Sequence, residues 1–226
     1  FLGWFTSKTG GDQEADAGKT TSTPIFGNRT YYAHWEQLFT ASYVSSHGTP
    51  SKTSDTISAS ALTVTLPTIS TVDTGWKFNG WTCSDWTGTK AGGSSVTFSS
   101  AANKTVTASF SAKQSSLTFD ANGGTWPSSG APSGVKATYG SAMPTTGVRS
   151  PNPPAGYAFA GYYDGTGANA KKYYTASSAN FVTSACAWDK DTEESTTLYA
   201  RWTKTVKLDK QGGSGGTDSV TYTRGI

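Results

Sequence analysis

Three stretches of this chain alternate apolar and polar positions with a period of two and close on an aromatic residue. They are residues 30–35, with Tyr31, Ala33 and Trp35 on one face; residues 105–110, with Val106, Ala108 and Phe110; and residues 197–202, with Leu198, Ala200 and Trp202. Successive side chains of a strand point to opposite faces, so each stretch predicts a half-buried β-strand whose polar or amphipathic residues mostly face outward. Each is preceded by an aromatic-x-Gly-aromatic step: Phe1-Leu2-Gly3-Trp4, Phe78-Asn79-Gly80-Trp81 and Phe159-Ala160-Gly161-Tyr162. The steps lie 78 − 1 = 77 and 159 − 78 = 81 positions apart. Recurrence of two phrases in a fixed order is the signature of an internal repeat.

The repeat also has a front end. Leu117-Thr118-Phe119-Asp120-Ala121-Asn122-Gly123-Gly124 is echoed by Val206-Lys207-Leu208-Asp209-Lys210-Gln211-Gly212-Gly213, 206 − 117 = 89 positions later. Both phrases read as a strand running into a Gly-Gly turn, where glycine takes positive φ without steric cost. The chain then divides into the back half of a module (1–36), a diverged module (37–112), a complete module (113–203) and the front part of a further module (204–226), so that neither end falls on a module boundary. The leading half-module lacks a front strand and is expected to expose unpaired edges and apolar faces. The trailing part supplies a front strand, Val206 to Leu208, and a second strand, Val220 to Tyr222, with no partner.

Thr, Tyr, Trp and Val suit pleated surfaces, and the abundant Gly, Asn and Pro suit turns. The expected class is mainly β, or β-rich α+β. One short helix candidate, Ser177-Ser178-Ala179-Asn180-Phe181-Val182, amounts to one or two turns.

Several of these phrases carry a resemblance. Phe119-Asp120-Ala121-Asn122-Gly123-Gly124, then Tyr139-Gly140 and Met143-Pro144, then residues 156–164 (Gly-Tyr-Ala-Phe-Ala-Gly-Tyr-Tyr-Asp), then Thr197-Leu198-Tyr199-Ala200-Arg201-Trp202 resemble the Listeria/Bacteroides repeat, the B-repeat type of internalin-like bacterial surface proteins. In the second module the front strand, Leu38-Phe39-Thr40-Ala41-Ser42-Tyr43, has no Gly-Gly turn, and Thr107-Ala108-Ser109-Phe110 replaces the aromatic-Ala-x-Trp ending. That module is a diverged copy or a different β-domain between copies. The resemblance implies small β-grasp-like modules strung in tandem, in an extended array on a cell surface.

Only 15% of residues are charged and the net charge is +3, with no basic stripe to follow a phosphate backbone. Nucleic acid is therefore not an expected partner, and no apolar run reaches membrane-spanning length. Cys83 and Cys186 lie 103 positions apart at non-equivalent places in the repeat. They are two isolated buried thiols, or a bridge between modules that an oxidising exterior allows. A catalytic thiol needs a histidine, and His34 on an outward strand face and His47 in a Ser/Gly loop show no triad context. Asp164-Gly165-Thr166-Gly167-Ala168-Asn169 and Asp189-Lys190-Asp191-Thr192-Glu193-Glu194 place carboxylates on loops. The first lacks the alternating acid spacing of a calcium loop and the second contains a lysine, so both read as solvated acids, as does Asp12-Gln13-Glu14-Ala15-Asp16.

Trp76, Trp81, Trp86 and Trp126 offer faces for sugar rings. The recurring Gly-aromatic position of Trp81 suits a core or junction residue, whereas Trp86 and Trp126 do not recur and are the candidates for exposed contacts. Asn28-Arg29-Thr30 and Asn103-Lys104-Thr105 are glycosylation acceptors in form, but each sits in the turn before a closing strand, which explains Asn by its turn bonds. Lys-to-Asn amide cross-links of the kind found in some bacterial surface modules have no assignable pair here.

The expected function is that of a non-enzymatic, extracellular, cell-surface tandem-repeat protein, a stalk or adhesin segment. It has no catalytic, cofactor-binding or metal site, and its partners are neighbouring modules, copies of itself, or a host or cell-wall protein or glycan. The alternatives are a segment of an extracellular filament assembled head-to-tail by completion of half-modules, and a glycan-binding module.

Overall fold

The structure, a computed structural model, describes residues 1–15, 27–177 and 181–224. Every regular element among them is a strand, so the protein is mainly β. The chain separates into two compact units: Phe1–Val72 with Phe78–Phe110, and Asp73–Lys77 with Ser111–Ile226.

Unit 1 begins with a small sheet of β1 (Gly3–Phe5), β2 (Gln13–Ala15) and β3 (Tyr32–His34), in the order β2-β1-β3. There follow β4 (Phe39–Val44), β5 (Gly48–Pro50), β6 (Ser54–Ile57), β7 (Thr63–Thr65), β8 (Ile69–Val72), β9 (Trp76–Thr82), β10 (Ser95–Thr97) and β11 (Lys104–Ala112). Four of these form a sheet ordered β6-β4-β11-β9, while β5 pairs with β8 and β7 with β10. The first and last strands of the sheet, β4 and β11, are parallel neighbours with Val106 opposite Tyr43. Ala41, Tyr43, Ile57, Trp81, Phe98 and Val106 are buried between sheet and crossing loops.

Unit 2 contains β12 (Gln114–Asp120), β13 (Lys136–Thr138), β14 (Ala158–Tyr163), β15 (Lys172–Ala176), β16 (Val182–Ser184), β17 (Thr196–Lys207) and β18 (Ser219–Arg224). Its sheet is ordered β13-β12-β17-β14-β15-β16, with β18 paired to the far half of β17. Here too the first strand lies parallel to the closing one, Phe119 opposite Leu198. Flanked on both sides, the first half of β17 buries Leu198, Ala200 and Trp202 completely. Parallel neighbours cannot be joined by a tight turn, so the whole intervening sequence serves as the crossover and must pack over one face.

Strand for strand, β6-β4-β11-β9 and β13-β12-β17-β14 are the same order. The registers agree as well: Thr105 faces Ser42 where Thr197 faces Thr118, and Phe39 faces Ile57 where Ser115 faces Ala137. The residues that differ between the two sequences therefore occupy one topology.

Three expectations change. Val206 to Leu208 and Val220 to Tyr222 are not without partners. They pair with each other, Val206 opposite Val220, as the far half of β17 and β18. The proposed helix fails where it is described: Phe181 bridges to Arg149 and Val182 opens β16, while the Ser177 amide donates to the Phe181 carbonyl at 2.9 Å. Its residues 178–180 lie outside the described residues. Arg201, expected on an outward face, is 3% exposed. Its guanidinium stacks on Tyr163 at 4.2 Å and donates to the carbonyls of Gly165 and Gly167, so this loop, rather than solvent, covers it.

Candidate functional site

Each repeat copy closes on a triad of aromatic rings built from the two recurring phrases. Phe159 stands edge-on to Tyr162 at 4.9 Å and to Trp202 at 5.8 Å. Phe78 meets Trp81 at 5.8 Å and Phe110 at 5.5 Å, and Phe1 meets Trp4 at 5.6 Å and Trp35 at 5.2 Å. Such tilted and edge-to-face pairs are favourable because the positive ring edge meets the negative face.

The glycine within each step is dictated by the backbone. Gly3, Gly80 and Gly161 have φ of 143°, 132° and 131°, a region that side-chain-bearing residues rarely adopt. A Cβ on Gly3 would lie 2.7 Å from the Ala15 carbonyl oxygen, one on Gly80 would lie 2.8 Å from that of Lys90, and one on Gly161 would collide with that of Tyr174. In each case the offending carbonyl belongs to the segment that flanks the step, so the glycine permits close approach of a neighbouring backbone. The ladders around the first and third steps share one register, Trp4 between Ala33 and Ala15, and Tyr162 between Ala200 and Tyr174, with a bulge at the next residue toward β2 and β15.

The copies differ in what covers the triad. Tyr162 and Trp202 are wholly buried, whereas Trp4 is 46% and Trp35 73% exposed. In unit 2 the cover includes β12 and its turn: Phe119 meets Tyr162 edge-on at 4.9 Å, and the Trp202 indole N–H donates to the Asn122 carbonyl at 2.9 Å. Among the described residues β3 pairs with β1 alone, so no strand flanks its other edge. Trp35 is therefore exposed, as expected of the leading half-module's apolar face, although its alternation alone predicts half-burial. Among the described residues Phe1, Trp4 and Trp35 form an exposed aromatic cluster.

The singly occurring tryptophans are less available. Trp86 is half-buried against Phe98, with its indole near the Trp81 carbonyl at 3.4 Å, and Trp126 packs on the unit 2 core. Trp81 is buried and Trp76 half-buried.

The loop acids stay largely at the surface, Asp189, Asp191 and Glu193 being 48%, 44% and 50% exposed, and they pair there with lysines. Asp164 accepts from the Lys171 amide at 2.7 Å and pairs with Lys190 at 2.5 Å, and Asp189 pairs with Lys171 at 2.5 Å and accepts from the Tyr173 hydroxyl. Asp191 pairs with Lys113 and accepts from the Gly75 amide, and Glu193 pairs with Lys77. The lysine that would oppose a cation is therefore itself the carboxylate's partner. No group of three potential metal ligands occurs among the described residues.

Cys83 and Cys186 are free, half-buried thiols, each packed on its own unit's core. His34 stacks on Phe5 at 4.0 Å and donates from Nε2 to the Ser7 carbonyl at 2.9 Å, while His47 stands edge-on to Phe110. The His34 arrangement repeats the Arg201–Tyr163 stack at the same register position, with a loop carbonyl as acceptor in both. Asn103 accepts at 2.9 Å from the amide of Thr40 in β4, a bond to a distant segment rather than the local turn bond expected, and Asn28 is exposed.

The least exposed ion pair among the described residues joins Lys104 to Asp85 at 2.8 Å. The Lys104 ammonium, aided by the Ser99 amide and hydroxyl, holds the Asp85 carboxyl down at about 2. A carboxylate depressed in the folded state contributes stability above its unfolded pKa, about 4, and that stability is lost as pH falls through the folded value. Asp85→Asn leaves the Lys104 charge unpaired and is expected to cost about 3 kcal/mol at neutral pH. The variant is also expected to lose the extra acid sensitivity that the native protein shows from about pH 4 down to pH 2. Urea unfolding of unit 1 at the two pH extremes measures both effects.

No protein-family model matches the chain, and a search of curated proteins also finds no match.

Proposed function

We propose that this chain is a non-enzymatic segment of an extracellular, cell-surface tandem-repeat protein, a stalk or adhesin whose β-grasp-like modules space and present a binding region. The resemblance of its recurring phrases to the Listeria/Bacteroides repeat favours this reading. One structural observation carries it furthest: in both units the first and closing strands are adjacent and parallel. A pull on the two ends of such a module slides β12 along β17, or β4 along β11, and loads all their ladder hydrogen bonds at once rather than one after another. This geometry resists extension, which is what a tether under flow or contact force requires. A repeat of aromatics, glycines and turn residues fits the same role, because it reproduces a core and not a reactive centre. Neighbouring modules and protein or glycan surfaces are the partners this reading implies.

Stretching the whole chain by its ends in single-molecule force spectroscopy tests the reading. Two separate force-resisting events are expected, the one from residues 37–112 releasing about 25 nm at roughly 0.35 nm per residue. Extension without a resolved event in either unit would remove the basis for a load-bearing role.

A further inference from the structure

The ladder between β12 and β13 stops short of the end of β12. Its paired residues run from Gln114 opposite Thr138 to Ser116 opposite Lys136, and it ends with the Leu117 amide donating to the Val135 carbonyl at 2.8 Å. Backbone groups of a strand alternate sides, so the amide and carbonyl of Phe119 point the same way as those of Leu117, away from β17. Among the described residues no backbone hydrogen bond reaches Phe119 on that side. A donor and an acceptor are thus left open on a strand that is otherwise flanked on both edges.

Residues 131–134, which precede Val135, stand off from β12 across a cavity of about 390 Å³ whose lining includes Leu117, Phe119, Pro132 and Val135. The space continues beyond it. Ala131, Pro132 and Ser133 also line a second cavity, of about 370 Å³, that reaches Arg149, and Arg149 lines a third, of about 340 Å³, together with Phe181. Sharing these walls, the three make one groove in unit 2. No acid lines it; its charged residues are Lys136 in the first cavity and Arg149 in the other two. Lys113, Lys171 and Lys190 have carboxylate partners, whereas neither Lys136 nor Arg149 has one among the described residues. The Arg149 guanidinium lies instead over the ring of Phe181 at 5.5 Å, and that residue is 52% exposed.

We infer that this groove takes an extended, acidic peptide segment of a partner protein, which adds a short strand to β12 at Phe119. The peptide backbone completes the open amide and carbonyl, as strand addition does at any unpaired sheet edge. Side chains of an added strand alternate between the two faces of the sheet. Apolar residues of the peptide therefore enter the cavity beside Leu117 and Val135, and the carboxylates between them lie on the face of Lys136, within the field of Arg149. Two unpaired cations and no lining acid set the sign of the partner's charge. The open ladder position sets its kind, because a peptide carries a donor and an acceptor at strand spacing and a sugar chain does not. This inference rests on unit 2 alone and goes beyond the load-bearing reading, so that either can fail without the other.

Nuclear magnetic resonance titration of the isotope-labelled 226-residue chain with a capped peptide of alternating aspartate and valine tests it, with the lysine–valine counterpart as control. The expected result is a saturable shift of the Phe119, Gly134 and Val135 amides with the acidic peptide alone, weakened about tenfold or more by Arg149→Glu and by Lys136→Glu. Both side chains are exposed, so both variants keep the thermal transition of unit 2. No saturable shift at Phe119, an equal response to the two peptides, or binding that either substitution leaves unchanged overturns the inference. A polyuronate oligosaccharide that shifts Arg149 and Phe181 while the Phe119 amide stays unmoved also overturns it, because the groove then takes an acidic glycan.

Discussion

Trp202→Ala is expected to lower the stability of unit 2 by about 3–5 kcal/mol, while Trp35→Ala, at the same repeat position, changes the stability of the dilute chain by less than about 0.5 kcal/mol. Trp202 is completely buried among Phe119, Phe159 and Leu198. Its removal leaves a cavity where close packing allows little collapse. It also strips the Asn122 carbonyl of its indole donor and leaves a half-buried acceptor to find water or go unpaired. Trp35 keeps its ring contact with Phe1 but shields little else. For a unit of this size the first substitution corresponds to a fall in melting temperature of roughly 15 °C or more. Thermal unfolding followed by near-ultraviolet circular dichroism at low protein concentration separates the two variants. Equal losses would mean that the two positions are packed alike.

Gly161→Ala is the second large effect, expected to cost about 3 kcal/mol or more although it adds a single methyl group. At φ 131° the alanine backbone is strained, and the new Cβ runs into the Tyr174 carbonyl. Relief requires β14 to move away from β15, which would disturb the pairing of Tyr162 with Tyr174. Gly167→Ala provides the control. Its φ is ordinary and no atom lies within 4 Å of its Cβ position, so it is expected to be neutral or to stabilise by about 0.5 kcal/mol through the unfolded chain. Chemical unfolding of the two variants gives the comparison, and a Gly161→Ala cost no larger than that of Gly167→Ala would show that the recurring glycine is not a backbone requirement.

The aromatic-x-Gly-aromatic step was legible in the sequence because the backbone admits only one residue type at its third position, so the constraint is printed at a fixed spacing. The closing strands were legible because their inner face is apolar at every second residue, and the pairing partner of that face does not alter the pattern. The front turn was equally readable, since Asn122-Gly123 and Gln211-Gly212 both need positive φ. Short edge strands such as β5, β7 and β10 were not, because three residues of Gly, Pro, Ser, Thr and Val carry too little alternation to stand out from loops. Parallel pairing of first and last strands was also hidden: it is a contact across 105 − 42 = 63 residues in unit 1 and 197 − 118 = 79 in unit 2, and a local pattern does not record which distant strand lies alongside.

Burial departed from the pattern where cover comes from elsewhere in the fold. Arg201 is enclosed because carbonyls of the Gly165–Gly167 loop reach its guanidinium, and nothing in its own strand signals that loop. The pairing of the acids at 164, 189, 191 and 193 was not readable because every lysine partner comes from another segment. The aromatic cluster of residues 1–35 and the hairpin of residues 206–222 were visible in outline, as repeat phrases. Their registers needed the ladders themselves.

Both units are read as copies of one module closed by parallel first and last strands. Interstrand nuclear Overhauser contacts in the full chain measure this. Parallel-type contacts are expected between residues 42 and 105 and between residues 118 and 197, together with contacts of Tyr43 to Val106 and Phe119 to Leu198. Closing strands that instead pair in antiparallel fashion with their front strands, or that show parallel contacts in one unit alone, would contradict it.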